Sequence, residues 1–294
     1  MPPTSSMSPQ PGRAQAAGWS ARDGLAVLGG PATRLLRALD DVFTGWGTAA
    51  GAEELTFPPL LRAADLAGLD YFRNFPHLGT VVTRIRPERH AAYCTARTVA
   101  TIPARDVTDT EHVLPSAACY AGFLHLAGSA VDAGPVLLTT AARCFRNEER
   151  YDGLRRLWGF TMREIVCIGS ADDVRRHLAL QHEALTAFAG GLGLVLGRQP
   201  ATDPFFERDG SRAFTQLLAP VKEEYVHADG TAVASMNNHR NFFGERCGIS
   251  LRDRPAFTGC VAFGLERWVH ALGELFDGDL ATARTAVLRA GAAQ

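Results

Sequence analysis

Residues 144–165, CFRNEERYDGLRRLWGFTMREI, are two segments of strand character around a polar loop at 149–156. The two-residue period of a strand puts Cys144, Arg146 and Glu148 on one face. The same period puts Phe160, Met162 and Glu164 on one face of the returning segment. If both faces lie on the same side of a sheet, one surface offers an arginine, an aromatic ring and two carboxylates. Arginine suits an anionic phosphate, because its planar fork is permanently charged. Phe160 has the shape to stack on a flat base. Glu148 can accept a hydrogen bond from an exocyclic amine. Arg156 adds a second cation at the loop. The same pattern also fits a solvated Arg/Glu hairpin, whose ion pairs stabilise little.

Working outward, residues 136–140 and 143–148 form one strand region, and 157–168 is the strand that returns. Ser170 then caps a helix whose first turn holds Asp172 and Asp173, which suits the helix dipole. Its apolar face is Val174, Leu178, Leu185 and Phe188, and its outer side carries Arg175, Arg176 and His177. Residues 217–226 and 231–236 read as strands joined by His227-Ala228-Asp229-Gly230, with Asp-Gly at the turn. Residues 259–264 form a strand that runs into a helix at 265–276. Near the start, apolar residues recur at helical spacing over 31–43, with Pro31 at the helix start. Short helices are predicted at 60–67 and 116–126, and strands at 80–85 and 98–102. Strands joined by hairpins, with helices set between them, predict an α+β fold on an antiparallel sheet flanked by helices. No GxGxxG or GxxxxGK(S/T) follows a strand, which leaves Rossmann and P-loop readings without support.

A second constellation is TGCVAFGLERW, residues 258–268. A strand of small residues runs into a helix opened by Glu266 and Arg267. Its glycines permit a ligand to approach the backbone closely. Alone, it fits equally a strand-to-helix turn with a surface ion pair.

The chain has 294 residues, 46% hydrophobic and 21% charged, which excludes wholesale disorder. Its net charge is −1, so no basic field argues for nonspecific nucleic-acid or membrane binding. Of the 30 basic side chains, Lys222 is the only lysine. The six cysteines form no CxxC pair, which argues against a zinc finger or a disulfide scaffold. Cys94, Cys144, Cys167 and Cys247 read as buried small hydrophobes. No apolar run is long enough for a transmembrane helix, and no secretory leader is visible at the start. A reducing cytoplasm is therefore expected. Residues 1–24 are expected to be a disordered lead-in, and 25–294 a single domain. None of the nine histidines falls in a metal or base constellation.

With these residues in view, the chain resembles a known family. Phe145-Arg146-Asn147-Glu148, a loop, Arg156 and then Phe160 look like motif 2 of class II aminoacyl-tRNA synthetases. Gly264-Leu265-Glu266-Arg267 looks like their motif 3. ASMNNHRNFFGER, at 234–246, resembles the intervening strand of the seryl enzymes. FPPLL at 57–61, YFRNFPHL at 71–78, ACY at 118–120, MREIV at 162–166 and ATDPFF at 201–206 extend the likeness. Over about 25–285 the chain is most similar to the amino acid:carrier protein ligases. These are truncated relatives of the atypical, zinc-dependent seryl-tRNA synthetases.

The resemblance implies a set of roles. Arg146 binds the α-phosphate of ATP, Glu148 reads the adenine edge, and Phe160 and Arg267 sandwich the ring. Arg156 touches the outer phosphates. Zn2+ is held by Cys119, Glu164 and Cys260, with an open position for the substrate's α-amino group. ATP is used with Mg2+, although 231–238 lacks the acid that usually binds it. Asn238 matches a polar position that touches substrate, or is a turn residue. Lys222 and Glu224 fit a strand pattern of the family without a clear chemical role.

The implied activity is activation of a small amino acid, glycine or alanine, to an aminoacyl adenylate. The acyl group then passes to the phosphopantetheine thiol of a carrier protein. The alternatives are a seryl-type tRNA synthetase and an inactive paralogue serving as a binding subunit. A tRNA binder needs a phosphate-contacting surface, which a net charge of −1 does not favour, so neither tRNA nor membrane is an expected partner. The family also implies a homodimer, with the helix at 35–43 and the strand at 80–85 as contacts. Residues 172–190 and 201–210 are the expected docking surface for the carrier.

Overall fold

The computed structural model describes residues 18–203, Phe206 and residues 221–293. The chain opens with a hairpin, β1 (Trp19–Arg22) and β2 (Leu25–Leu28), followed by α1 (Gly30–Ala49) and β3 (Glu53–Glu54). A smaller layer comes next: β4 (Leu61–Arg62), α2 (Ala63–Gly68), α3 (Tyr71–Asn74), β5 (Thr80–Val82), α4 (His90–Thr95), β6 (His112–Leu114) and α5 (Cys119–His125). The long hairpin β7 (Val136–Phe145) and β8 (Gly159–Gly169) leads into α6 (Ala171–Leu192). β9 (Gly197–Ala201), β10 (Lys222–Val226) and β11 (Ala232–Arg240) follow, then α7 (Phe242–Cys247). A small hairpin, β12 (Ser250–Leu251) and β13 (Arg254–Pro255), precedes β14 (Phe257–Gly264), α8 (Leu265–Leu275) and α9 (Leu280–Ala292).

Nine strands form one sheet, in which β3-β7-β8-β14-β11-β10-β9 run side by side and the β1–β2 hairpin joins the start of β8. All pairs are antiparallel except β2 with β8 and β3 with β7. The pleat sorts side chains cleanly. Arg163 and Ile165 on β8, and Val261 and Phe263 on β14, face a layer made by α1, α6, α8 and α9. Phe43 of α1 stacks on Phe263 with ring centroids 4.0 Å apart, and Phe188 and Trp268 close round them. Burying each such ring stabilises by on the order of 2 kcal/mol. Gly259 has no side chain because α6 packs there; a Cβ would meet Val174 Cγ1 at 2.6 Å. Glu164, Cys260 and Met162 point the other way, under the smaller layer.

Ser170 caps α6 as expected, in a reciprocal capping box with Asp173. Several boundaries differ from the sequence reading. Residues 1–17 of the expected lead-in lie outside the described residues, whereas Trp19–Arg22, also placed in that lead-in, is a strand paired with Leu25–Leu28. The segment at 98–102 is no strand: it pairs with no strand among the described residues and leaves Val99 and Ile102 exposed, and β-propensity without a neighbouring strand decides nothing. The strand before the polar loop stops at Phe145, and α5 starts at Cys119 because Ser116 spends its carbonyl on Arg146. Residues 217–220 of the strand expected at 217–226 lie outside the described residues.

Candidate active site

The β7–β8 register pairs Cys144 with Phe160, Ala142 with Met162 and Thr140 with Glu164. The expected common surface therefore exists. β14 lies on the other side of β8, with Cys260 against Val166 and Ala262 against Glu164. Next comes β11, with Asn237 opposite Cys260 and Ser235 opposite Ala262. β8, β14 and β11, with Lys222 and Glu224 of β10, form the floor of a long groove.

One end is a cavity of about 540 Å³ lined by Cys119, Glu164, Cys260, Arg146, Asn237 and Tyr120, among others. The Cys119, Glu164 and Cys260 donor atoms all lie within 4.8 Å of one another, and all three residues are buried. Glu164 Oε1 accepts the backbone N–H groups of Ala118 at 2.8 Å and Cys119 at 3.1 Å. Asn237 Nδ2 donates to Cys260 Sγ at 3.5 Å. The contact with Cys260, burial and the Glu164 carboxylate push the Cys119 thiol well up. For Cys260, hydrogen bonding from Cys119 pulls down, but burial and Glu164 prevail and its thiol stands at about 11. His239 flanks the cluster, with Nε2 3.8 Å from Cys260 Sγ and Nδ1 3.2 Å from Thr258 Oγ1. Burial pushes its imidazole down to about 4.

The other end is a smaller cavity of about 70 Å³ that brings together Arg146, Glu148, Phe160, Glu224 and Arg267. Both cavities share Arg146, Met162, Lys222, Ser235 and Ala262, so they are two ends of one groove. The Arg146 guanidinium sits 5.2 Å from the centre of the Phe160 ring, and its Nε donates to the Ser116 carbonyl. Arg267 donates from Nε to the Arg155 carbonyl and from Nη1 to the Ala232 carbonyl, both at 2.9 Å. Burial first, and repulsion from Arg146 second, push its guanidinium down to about 10. It remains a cation at neutral pH, only partly compensated. Arg156 pairs with Glu148. Glu266 is buried, not the surface ion pair of the sequence reading: it accepts from Arg143, Thr161 N and Thr161 Oγ1 at 2.6–2.9 Å. That ties the start of α8 to β7 and β8 and fixes Arg267.

All nine candidate site residues thus line or adjoin one groove, with one adjustment. Asn238 lines the larger cavity, but its Oδ1 accepts its own turn's Arg240 N–H. Its neighbour Asn237 is the one beside Cys260. Other expectations meet corrections. His177 is buried against the Ile165 carbonyl, not on the outer side of α6. Arg175 and Arg176 are exposed there, paired with Asp172 and Asp173. Of the second docking segment, residues 204, 205 and 207–210 lie outside the described residues. Cys144, Cys167 and Cys247 are buried as expected, but Cys94 is exposed. Leu35, Leu39 and Phe43 of α1 are buried in the chain's own core. The histidines do contribute a constellation: His227, Asp229 and His270 converge.

A helix layer over a largely antiparallel sheet, with this arginine hairpin and a Gly-Leu-Glu-Arg helix start, defines the catalytic fold of class II aminoacyl-tRNA synthetases. The chain superimposes on the M. kandleri seryl-tRNA synthetase, solved with A. aeolicus tRNASec, at a TM-score of 0.73 and 22% identity, covering 86% of this chain and 53% of that one. It superimposes on the Giardia lamblia prolyl-tRNA synthetase at 0.66 and 13% identity, covering 85% and 47%. The chain thus spans about half the length of these synthetases. No family model matches it. Among curated proteins it is 36% identical to amino acid–acyl-carrier-protein ligase 1 of Bradyrhizobium diazoefficiens over 244 residues, 79% of this chain and 74% of that protein. It is 34% identical to ligase 2 of the same organism, over 78% and 71%. The chain belongs to the amino acid–acyl-carrier-protein ligase family. No described helix is long and apolar enough to cross a membrane.

Proposed function

We propose that this protein activates a small amino acid with ATP and passes the acyl group to the phosphopantetheine thiol of a carrier protein. The observation that carries the reading is the continuous groove, with a buried Cys/Glu/Cys cluster at one end and, at the other, Arg146 over the Phe160 ring with Arg267 lining the same cavity. The name shared by the relatives at 34% and 36% identity supports the carrier as acceptor.

Arg146 and Arg267 are cations fixed before substrate arrives, held by carbonyls of the backbone. Attack of the amino acid carboxylate on the α-phosphorus forms a C–O–P bond and breaks the bond to the β-phosphate bridge oxygen; pyrophosphate leaves. Negative charge grows on the α-phosphate oxygens in that step, and preplaced arginines stabilise it where it appears. Phe160 stacks on adenine, and Glu148 accepts from its amine. On ATP binding, Arg156 exchanges its pairing with Glu148 for the outer phosphates, where Mg2+ accompanies the nucleotide. In the second half-reaction the carrier thiol attacks the acyl carbonyl, the C–O bond to AMP breaks, and the thiol proton leaves with solvent or phosphate.

The Cys119, Glu164 and Cys260 donor set fits Zn2+. Two thiols and a carboxylate packed together raise the cost of ionising one another, and a divalent cation reverses that cost. When bound, the ion supplies an open coordination position for an α-amino group. Asn237 orients Cys260, and Glu164 is itself oriented by two backbone N–H groups. Such thiols persist in a reducing compartment, the cytoplasm. The two-chain arrangement is a further part of this reading.

The test is a screen of amino-acid-dependent ATP–pyrophosphate exchange. Exchange with glycine or alanine is expected, and no exchange with any amino acid would overturn the reading.

A further inference from the structure

We propose that His227, Asp229 and His270 form a second metal site, outside the groove, for a borderline divalent transition ion such as Zn2+ or Co2+. Their donor atoms all lie within 4.8 Å of one another. His270 Nε2 is 2.7 Å from Asp229 Oδ2, and His227 Nδ1 is 3.1 Å from Asp229 Oδ1. The two imidazole rings stand at 90° with centroids 6.4 Å apart, so their nitrogens converge on the carboxylate without the rings stacking.

The site is rigid before any ion arrives. His227 and Asp229 come from the turn between β10 and β11, closed by Gly230 N–H to the His227 carbonyl and His227 N–H to the Thr231 carbonyl. Thr231 N–H also donates to Asp229 Oδ1 at 2.9 Å and fixes the carboxylate. His270 comes from α8, three residues after Arg267. The histidine side chains are 14% exposed and that of Asp229 27%, sheltered enough to be ordered and open enough to admit an ion.

Two imidazoles and a carboxylate suit Zn2+, Co2+ or Ni2+ and leave coordination positions for water. Burial opposes ionisation of Asp229, yet hydrogen bonds from His270, Thr231 and His227 hold it well below the usual carboxylate range. On binding, His270 Nε2 and His227 Nδ1 give up the protons they donate to Asp229, and each neutral ring carries its one proton on the nitrogen away from the ion. The competing cation is Arg155, whose Nε is 3.5 Å from Asp229 Oδ2. That contact makes no hydrogen bond, and it leaves the other lone pairs of the carboxylate open to an ion. Arg155 also pairs through Nη2 with Asp152 Oδ2 at 3.6 Å, so its charge is shared between two carboxylates.

The experiment is a Co2+ titration of the untagged, metal-stripped chain and of its His227→Gln/His270→Gln variant, read by bound metal per chain and by absorption. The wild type is expected to bind one more Co2+ per chain than the variant. The difference spectrum should show d–d bands without a thiolate charge-transfer band. The readout is that difference, so it stands whether or not the Cys119, Glu164 and Cys260 cluster holds an ion. If the double variant fails to fold, Asp229→Asn replaces it. Equal uptake by wild type and whichever variant folds overturns the site.

Discussion

Glu164 Oε1 accepts the backbone N–H of Cys119 at 3.1 Å, so one donor of the buried cluster fixes the position of another. One Zn2+ per chain is expected there. Glu164→Gln keeps an oxygen for the two N–H groups but removes the anion, and zinc content should fall. Cys119→Ala with Cys260→Ala should abolish it. Chelation should weaken amino acid binding more than ATP binding, because the arginines stand at the other end of the groove. Metal analysis in the His227→Gln/His270→Gln background decides: no zinc there, or one zinc per chain retained after the two cysteine changes, ends the assignment.

Arg146 and Arg267 repel each other across the groove and lie where an anion relieves both. Arg146→Ala and Arg267→Ala are each expected to lower pyrophosphate exchange on the order of 10²–10³-fold, the usual loss for one preorganised charge-stabilising donor. Near-normal exchange in Arg146→Ala would count against the role.

His177 is buried on the sheet side of α6, where its Nε2 donates to the Ile165 carbonyl and burial depresses its pKa below 6.5. The unfolded chain binds a proton at His177 near pH 6.5 that the folded chain refuses. This contribution to stability is present above about pH 6.5 and is lost as pH falls through the lower folded value. His177→Gln can keep the hydrogen bond and cannot titrate. Its melting midpoint should fall less than the wild type's between pH 7.5 and 5.5. Equal falls would remove His177 from the acid response.

A dimer is expected, although the buried Leu35, Leu39 and Phe43 of α1 are spent within the chain. β5 remains available: it pairs only with β6 among the described strands, and Val81 on it is 57% exposed. Light scattering at micromolar concentration should give twice the chain mass, falling toward one chain in Val81→Arg. A monomeric wild type would refute the pairing.

The arginine hairpin was legible because two signals coincide in it. Strand alternation sorts Cys144, Arg146 and Phe160, Met162, Glu164 onto faces, and a polar loop marks the reversal. The capping box at Ser170 was equally local. What stayed hidden depends on register and on contacts between distant segments. Asn237 and Asn238 alternate, and only the pairing of Asn237 with Cys260 selects the first. His227 and His270 are 43 positions apart, and nothing local ties a turn to a helix in mid-course. His177 sits among arginines, so pattern alone put it outside, whereas α6 is rotated to bury it. At 98–102 the local β-character was real, but no strand among the described residues lies alongside.

The acceptor separates the carrier reading from the synthetase alternative. An acyl adenylate is open to any nucleophile that reaches its carbonyl, and a thiol ionises far more readily near neutrality than a ribose hydroxyl. A carrier must dock so that its long arm enters the groove. α6 presents Arg175 and Arg176 outward: Arg175 pairs with the exposed Asp172, and Arg176 with Asp173, whose other carboxylate oxygen caps the helix with Ser170. The exposed Arg175–Asp172 pair is worth little, and both guanidinium groups stand open to solvent, so an acidic partner can engage them at small cost. Arg175→Glu with Arg176→Glu is expected to raise the KM for the carrier several-fold and to leave pyrophosphate exchange unchanged, since neither residue lines the groove. An unchanged carrier KM moves the docking surface elsewhere without touching the acceptor. The acceptor itself is tested by offering holo carrier proteins and total tRNA in parallel with labelled glycine or alanine. A thioester on a carrier, and no label on tRNA, is the expected result. Stable charging of tRNA, with no thioester on any carrier, would make this chain a tRNA synthetase despite its family.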